Sequence, residues 1–173
     1  PAGQVFMKGR ESSEWLAQNL KSTRNFIRKW GHMVKHDAYL KPIVPPKYDV
    51  GFVAYNCDLN MLKELEPWCS VIYLDSGSIG KYAGQYQKEE QLNTQFNLDE
   101  RIKMYGNSKP ADLNHDIVIE FDCQKLTPQN FQILIELPSI LKESGEVGTM
   151  ELEIFTLDIK SLKEYQKDLI LVK

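Results

Sequence analysis

The stretch that most constrains the fold runs from residue 47 to residue 76 and has the sequence KYDVGFVAYNCDLNMLKELEPWCSVIYLDS. Residues 48–55 are almost continuously apolar, which is typical of a strand covered on both faces of a parallel sheet. Asp58 can cap a short helix that ends at Pro67, and residues 71–74 form a second apolar strand. Two such strands joined by a helix predict a right-handed parallel crossover.

The region before this unit predicts a helix over residues 13–30, because apolar side chains recur there at steps of three and four. Ser12 or Ser13 can cap its start, and Gly31 ends it. The proline-rich segment 41–46, KPIVPP, cannot continue a helix and is predicted to be a stiff connector. The apolar face of the predicted helix comprises Leu16, Leu20, Thr23, Ile27, Trp30 and Val34.

The second half of the chain has weaker patterns. Residues 75–84 are rich in Gly and Ser and predict a flexible loop, whereas the polar stretch 85–106 predicts a helix. Residues 115–123, HDIVIEFDC, alternate between apolar and polar side chains, which predicts a half-exposed strand near a sheet edge. A helix is predicted over residues 127–145, and residues 150–159 predict one more alternating strand.

These elements predict an α/β fold: a three-layer, Rossmann-like mixed sheet, mostly parallel, with a late antiparallel pair. The whole chain, residues 1–173, is expected to form one domain. A short strand is also expected over residues 4–8, and a helix followed by a last strand over residues 161–173.

Composition limits where such a chain works. The three cysteines, Cys57, Cys69 and Cys123, are irregularly spaced and form no CxxC pair, which favours reduced thiols. No apolar run approaches the roughly 18 residues of a membrane-spanning helix. The sequence therefore predicts an intracellular protein, cytoplasmic or nuclear, that does not enter a membrane.

The charge is divided unequally along the chain. Residues 1–47 contain nine Lys or Arg against three acids, whereas the remaining residues contain twelve basic and twenty-one acidic side chains. The basic helix therefore either meets an anionic ligand or docks against the acidic remainder of the protein. In the first interpretation Arg24, Arg28 and Lys29 are candidates for contacting nucleic acid.

Ligands of open α/β sheets bind beyond the carboxyl ends of the strands, where loops and helix N-termini meet. The candidate ligand-binding residues at these positions are Asn56, Asp58, Asp75, Ser76 and Gly77. Asp75 can accept hydrogen bonds from ribose or sugar hydroxyls. In the alternative interpretation, Asp58 only caps its helix and Asn56 only satisfies a turn.

Three carboxylates, Asp116, Glu120 and Asp122, lie on one face of the strand predicted at residues 115–123. Two carboxylates near a lysine can bind magnesium and activate water, as in metal-dependent nucleases. Acidic side chains on a solvent-facing strand also discourage edge-to-edge pairing, which is the alternative explanation.

Residues 48–75 resemble the later half of a class I S-adenosylmethionine-dependent methyltransferase, which has a Rossmann-like α/β domain. Tyr48-Asp49-Val50 matches the first strand of that half, and residues 65–69, LEPWC, take the place of the family's L-x-P-G-G turn. The strands at 115–123 and 150–159 match its final pair. The same unit resembles half of a two-domain glycosyltransferase. The resemblances imply S-adenosylmethionine or a sugar nucleotide as the ligand.

Three functions follow from these patterns. The first is a transferase-like Rossmann domain that binds a nucleotide-type ligand. The second is a non-catalytic module for protein interaction or assembly, whose partner is another protein or domain. The third is nucleic-acid binding or a metal-dependent nuclease.

Overall fold

The computed structural model describes residues 12–165, and the strand expected at residues 4–8 lies outside this range. Most of the segment 161–173 also lies outside it; its described part holds an isolated antiparallel bridge between Tyr48 and Glu164. The helices are α1 (Ser13–Trp30), α2 (Leu59–Leu65), α3 (Ser76–Gln91), α4 (Leu98–Arg101) and α5 (Pro128–Ser144). The strands are β1 (Lys35–His36), β2 (Pro42–Ile43), β3 (Val50–Tyr55), β4 (Val71–Asp75), β5 (Ile102–Tyr105), β6 (Ile117–Asp122), β7 (Gly148–Leu152) and β8 (Phe155–Ile159).

Six of these strands form one mixed sheet in the order β5-β4-β3-β6-β8-β7. The pairs β3–β4, β4–β5 and β3–β6 are parallel, and β8 runs antiparallel to both β6 and β7. The predicted α/β class is therefore confirmed: helices flank a mostly parallel sheet with a late antiparallel pair. Strands β1 and β2 form a separate antiparallel ribbon, so part of the expected connector at 41–46 is paired.

The two faces of the sheet are covered differently. Alternate residues of β3 and β6, such as Phe52 and Ile119, belong to the larger apolar cluster together with leucines of α2 and α5. The smaller cluster contains Val53, Leu113 and Val118. Its partly buried members are tyrosines, so this second face combines apolar contacts with hydroxyl groups. These tyrosines are Tyr55, Tyr73 and Tyr105.

Strand β6 corrects one expectation. It was expected near an edge, but it lies inside the sheet, between β3 and β8. Its alternating pattern arises because Ile117 and Ile119 face the larger cluster, whereas Glu120 faces the thinly covered side. Alternation therefore reports the unequal covering of the two faces rather than an edge position.

Three other segments also differ from expectation. The loop expected at residues 75–84 is largely the start of α3, because Asp75 accepts a hydrogen bond from the Gly77 N–H and caps that helix. Of the helix expected at 85–106, residues 85–91 belong to α3, whereas the remainder contains the short helix α4 and strand β5. The single strand expected at 150–159 is part of the hairpin β7–β8, which turns at Glu153 with a φ of 54°.

Helix α1 has the predicted bounds. The Ser12 side chain accepts from the Trp15 N–H, and Gly31 ends the helix in the left-handed conformation. Its predicted apolar face is only partly a core face: Leu16 and Leu20 are 50% and 60% exposed, whereas Ile27 is buried. Within residues 12–165, no helix is both long enough and apolar enough to span a membrane.

A buried ion-pair network attaches the C-terminal half of α1 to the rest of the domain. The Arg28 guanidinium, which is fully buried, contacts the Glu66 carboxylate at 2.6 Å and that of Glu90 at 2.9 Å. Arg101 contacts the other oxygen of Glu66 at 2.6 Å, and Arg24 contacts Glu90 at 2.7 Å. Burial tends to raise the pKa of Glu90, but the hydrogen bonds from the two arginines outweigh it and the pKa is lowered.

We expect Arg28→Ala to lower the free energy of unfolding by about 3–5 kcal/mol, because it leaves the buried Oε2 of Glu66 without its hydrogen-bond donor and removes one of the two arginines that contact Glu90. Arg24→Ala is the matched control. Arg24 is 26% exposed and Glu90 keeps Arg28, so the expected loss is about 1–2 kcal/mol. Urea unfolding followed by circular dichroism measures both, and equal losses would contradict the structural role assigned to Arg28.

Candidate functional site

The chain reverses its direction across the sheet between β3 and β6. From β3 it steps outward to β4 and β5, and it then returns to place β6 on the other side of β3. In open α/β sheets this switch point is where loops diverge and leave a crevice for ligands. Here a hydrogen bond joins the carboxyl ends of β3 and β6, because the Asn56 side-chain amide donates to the Asp122 carboxylate at 3.0 Å.

Two predicted ligand residues, Asn56 and Asp58, form the turn between β3 and α2. Asn56 has a φ of 51°, in the left-handed region, so it makes the tight turn that glycine makes in many nucleotide-binding loops. The Asp58 carboxylate accepts from the Met61 N–H at 2.8 Å and caps α2, as its structural interpretation predicts. Both side chains are exposed.

The other three predicted residues, Asp75, Ser76 and Gly77, lie where β4 passes into α3. Asp75 ends β4 and accepts from the Gly77 N–H at 2.9 Å. Ser76 and Gly77 are exposed. Because β3 and β4 are parallel neighbours, all five predicted residues lie at the same edge of the sheet.

An open cleft of about 380 Å³ lies at this edge between α2 and α3. Asp58 lines it, whereas Asn56 points its amide toward the β6 side. Among the lining residues whose side chains the structure describes, none is cationic, so this part of the cleft suits hydroxyl or cationic groups better than phosphate. The lining residues are Asp58, Leu59, Asn60, Ile79 and Tyr82.

The three carboxylates proposed for magnesium are occupied or far apart. Glu120 accepts from the Tyr55 hydroxyl and from the Lys109 ammonium, and Asp122 accepts from Asn56. Asp116 precedes the opposite end of β6, roughly 20 Å from Asp122 at the usual rise of a strand. Within residues 12–165, no three His, Cys, Asp or Glu side chains group as metal ligands.

The basic residues proposed for nucleic acid make contacts inside the protein. Arg28 is buried in the ion-pair network, and Arg24 forms a two-point contact with Glu90. The Lys29 ammonium lies 5.1 Å from the centre of the Trp30 ring. Docking against acidic side chains therefore accounts for Arg24 and Arg28.

A second cluster, which the sequence patterns did not indicate, lies on the tyrosine-bearing face of the sheet. The His115 Nδ1 is 2.9 Å from the Asp49 carboxylate, and its Nε2 is 2.9 Å from the Tyr73 hydroxyl. We call these three residues the Asp-His-Tyr relay. Tyr73 is an isolated polar group in an apolar strand, which is the only local signal; the partners are 42 and 66 residues apart in the chain.

The relay packs against Gly51, near the start of β3. A Cβ atom at this position would lie 2.5 Å from the His115 ring, closer than any real contact. The absence of a side chain thus lets the imidazole pack against the sheet between Asp49 and Tyr73.

No protein-family model, curated protein or solved structure matches the chain.

We expect Gly51→Ala to lower the free energy of unfolding by about 1–3 kcal/mol, because the new methyl group must displace His115. Gly84→Ala is the control: it lies in α3 with nothing within 4 Å of its Cβ position, so alanine is expected to stabilise by up to about 1 kcal/mol. Thermal and urea unfolding measure both. A neutral Gly51→Ala would show that His115 is not held against the sheet.

Proposed function

We propose that this domain binds a nucleoside-type ligand at the carboxyl edge of β3 and β4, as a transferase-like Rossmann domain does. The observation that carries the proposal is the position of Asp75. It ends the strand next to the switch-point strand, about 20 residues beyond the first turn, where dinucleotide-binding folds carry the acid that binds ribose hydroxyls. Asn56 supplies the left-handed first turn on the neighbouring strand.

The charge of this edge selects among the candidate ligands. Asp58, Asp75 and Asp122 are carboxylates at the ends of adjacent strands or turns, and the described side chains that line the cleft beside Asp58 include no cation. A sugar nucleotide would bring a diphosphate next to these charges, which is unfavourable. S-adenosylmethionine combines a ribose with a positively charged sulfonium and no phosphate, so the edge favours it over a sugar nucleotide.

We expect S-adenosylmethionine or adenosine to raise the melting temperature of the protein, and UDP-glucose to leave it unchanged. A ligand at 100 times its Kd stabilises the native state by about 2.7 kcal/mol. Asp75→Asn should lose most of this shift, because asparagine caps α3 as well as aspartate does but accepts ribose hydroxyls without a charge.

Asp99→Asn is the matched control, because Asp99 is exposed in the first turn of α4 and lies outside the cleft. It should keep the full shift. No shift with either nucleoside, or an equal shift in Asp75→Asn, would rule out the proposed site.

A second candidate is the interaction module, and one observation favours it. Ten large apolar side chains between residues 15 and 44 are exposed on α1 and on the segment 33–44, which contains the β1–β2 ribbon. Part of this surface forms a shallow cleft lined by Phe26, Met33 and Val34. The same segment of the chain contains Lys21, Lys29, Lys35 and Lys41, so the occupant it suits is another protein with an apolar surface and acidic side chains. The ten are Trp15, Leu16, Leu20, Trp30, Met33, Val34, Tyr39, Leu40, Ile43 and Val44.

For this candidate we expect Leu20→Glu to weaken binding of a purified, identified partner at least tenfold while leaving the fold intact, since Leu20 is 60% exposed. Ile140→Glu, on exposed α5 surface, is the control and should bind normally. Titration calorimetry measures both affinities. Equal affinities for the two variants, or association only between copies of this chain, would contradict it.

A further inference from the structure

We propose that Tyr73 is a nucleophile activated by His115, and that it accepts an acyl group from an activated ester. The Asp-His-Tyr relay has the arrangement by which enzymes activate a hydroxyl: a nucleophile within hydrogen-bonding reach of a base, and the base oriented by a third group. Both contacts are 2.9 Å. This activity is separate from nucleoside binding at the carboxyl edge.

The hydrogen bonds fix the protonation pattern of the relay. The Asp49 carboxylate accepts hydrogen bonds, so the His115 Nδ1 carries the proton that it donates at 2.9 Å. In the neutral ring the Nε2 is then the acceptor, and the Tyr73 O–H donates to it. The basic nitrogen therefore already faces the proton that must leave when Tyr73 attacks.

The sheet holds the three groups in place before any substrate arrives. Tyr73 lies in the middle of β4, and His115 is confined between the two other side chains and the surface of Gly51. The Tyr73 and His115 rings meet edge to face with their centres 5.7 Å apart. Tyr73 and His115 are both partly exposed, and the His115 side chain itself is 9% exposed, so a small ester can approach the phenol from the solvent side.

Another tyrosine on this face shows why His115 matters. Burial raises the pKa of both Tyr55 and Tyr73, so both phenols are protonated at neutral pH and need a base to react. Tyr55 bonds to Glu120, whose own pKa is lowered by Lys109 and Tyr55 despite its partial burial, which makes it a poor base. Of these two tyrosines, Tyr73 is the one whose hydroxyl is paired with an imidazole.

The proposed step is balanced within the relay. The Tyr73 oxygen attacks the ester carbonyl carbon as its proton passes to the His115 Nε2. The bond between that carbon and the leaving oxygen then breaks, and the leaving group departs with the proton from His115. The products are O-acyl-Tyr73 and the free alcohol or phenol, with no oxidant or reductant.

The test uses 4-nitrophenyl acetate and peptide-resolved mass spectrometry to measure acetylation rates at each tyrosine of the full-length chain. We expect Tyr73 to react about 100-fold faster than Tyr39 and Tyr82, which are more exposed but have no such base, because general-base assistance contributes about 10²–10⁴. Equal or slower acetylation of Tyr73 in the wild-type protein would overturn the proposal without any variant.

Variants then assign the roles. His115→Gln keeps a hydrogen-bond acceptor near Tyr73 but no basic nitrogen, so Tyr73 acetylation should fall to the rate of Tyr82. In Asp49→Asn the rate of Tyr73 acetylation should fall less, because the asparagine side-chain oxygen still orients the His115 ring. His36→Gln, at an exposed histidine of β1 that contacts neither Tyr73 nor Asp49, is the matched control and should leave Tyr73 acetylation unchanged. Unchanged acetylation in folded His115→Gln, checked by circular dichroism, would show that the relay only holds the strands together.

Discussion

The ion pair between Arg28 and Glu66 is the contact on which the arrangement of the helices depends. Glu66 follows α2 directly and is fully buried, and Arg28 and Arg101 occupy its two carboxylate oxygens. A buried carboxylate is costly unless it is paired, so these partners must all be present in the folded state. Glu66 therefore holds α1 and α4 against the end of α2. Arg28 extends this network to Glu90 at the carboxyl-terminal end of α3.

The two faces of the sheet differ in how much apolar surface they bury. The face covered by α2, α3 and α5 holds most of the apolar cluster and provides stability. The other face has only a small apolar cluster, so polar groups such as Tyr73, His115 and Glu120 can lie there with hydrogen-bond partners. The parallel strands place the candidate nucleoside site at one edge, and the thin covering of this second face leaves Tyr73 partly exposed.

Local patterns predicted what depends on neighbours in the chain. The bounds of α1, the cap at Asp58 and the parallel pair β3–β4 follow from apolar periodicity, capping residues and turn residues. The position of β6 inside the sheet did not, because alternation records how the faces are covered and not which strands are adjacent. The five residues predicted to bind a ligand lie at one edge of the sheet, but contacts between distant residues, such as His115 with Asp49, could not be predicted from the local sequence.

The ion-pair network cannot be completed until the last of its residues has been synthesised. Helix α1 is made before the two acids that neutralise Arg28: Glu66 follows Arg28 by 38 residues and Glu90 follows it by 62. At 5–20 residues per second this interval is roughly 3–12 s. During that time Arg28 lacks at least one of its two acidic partners. We therefore expect a chaperone to protect α1 most before Glu90 has been made.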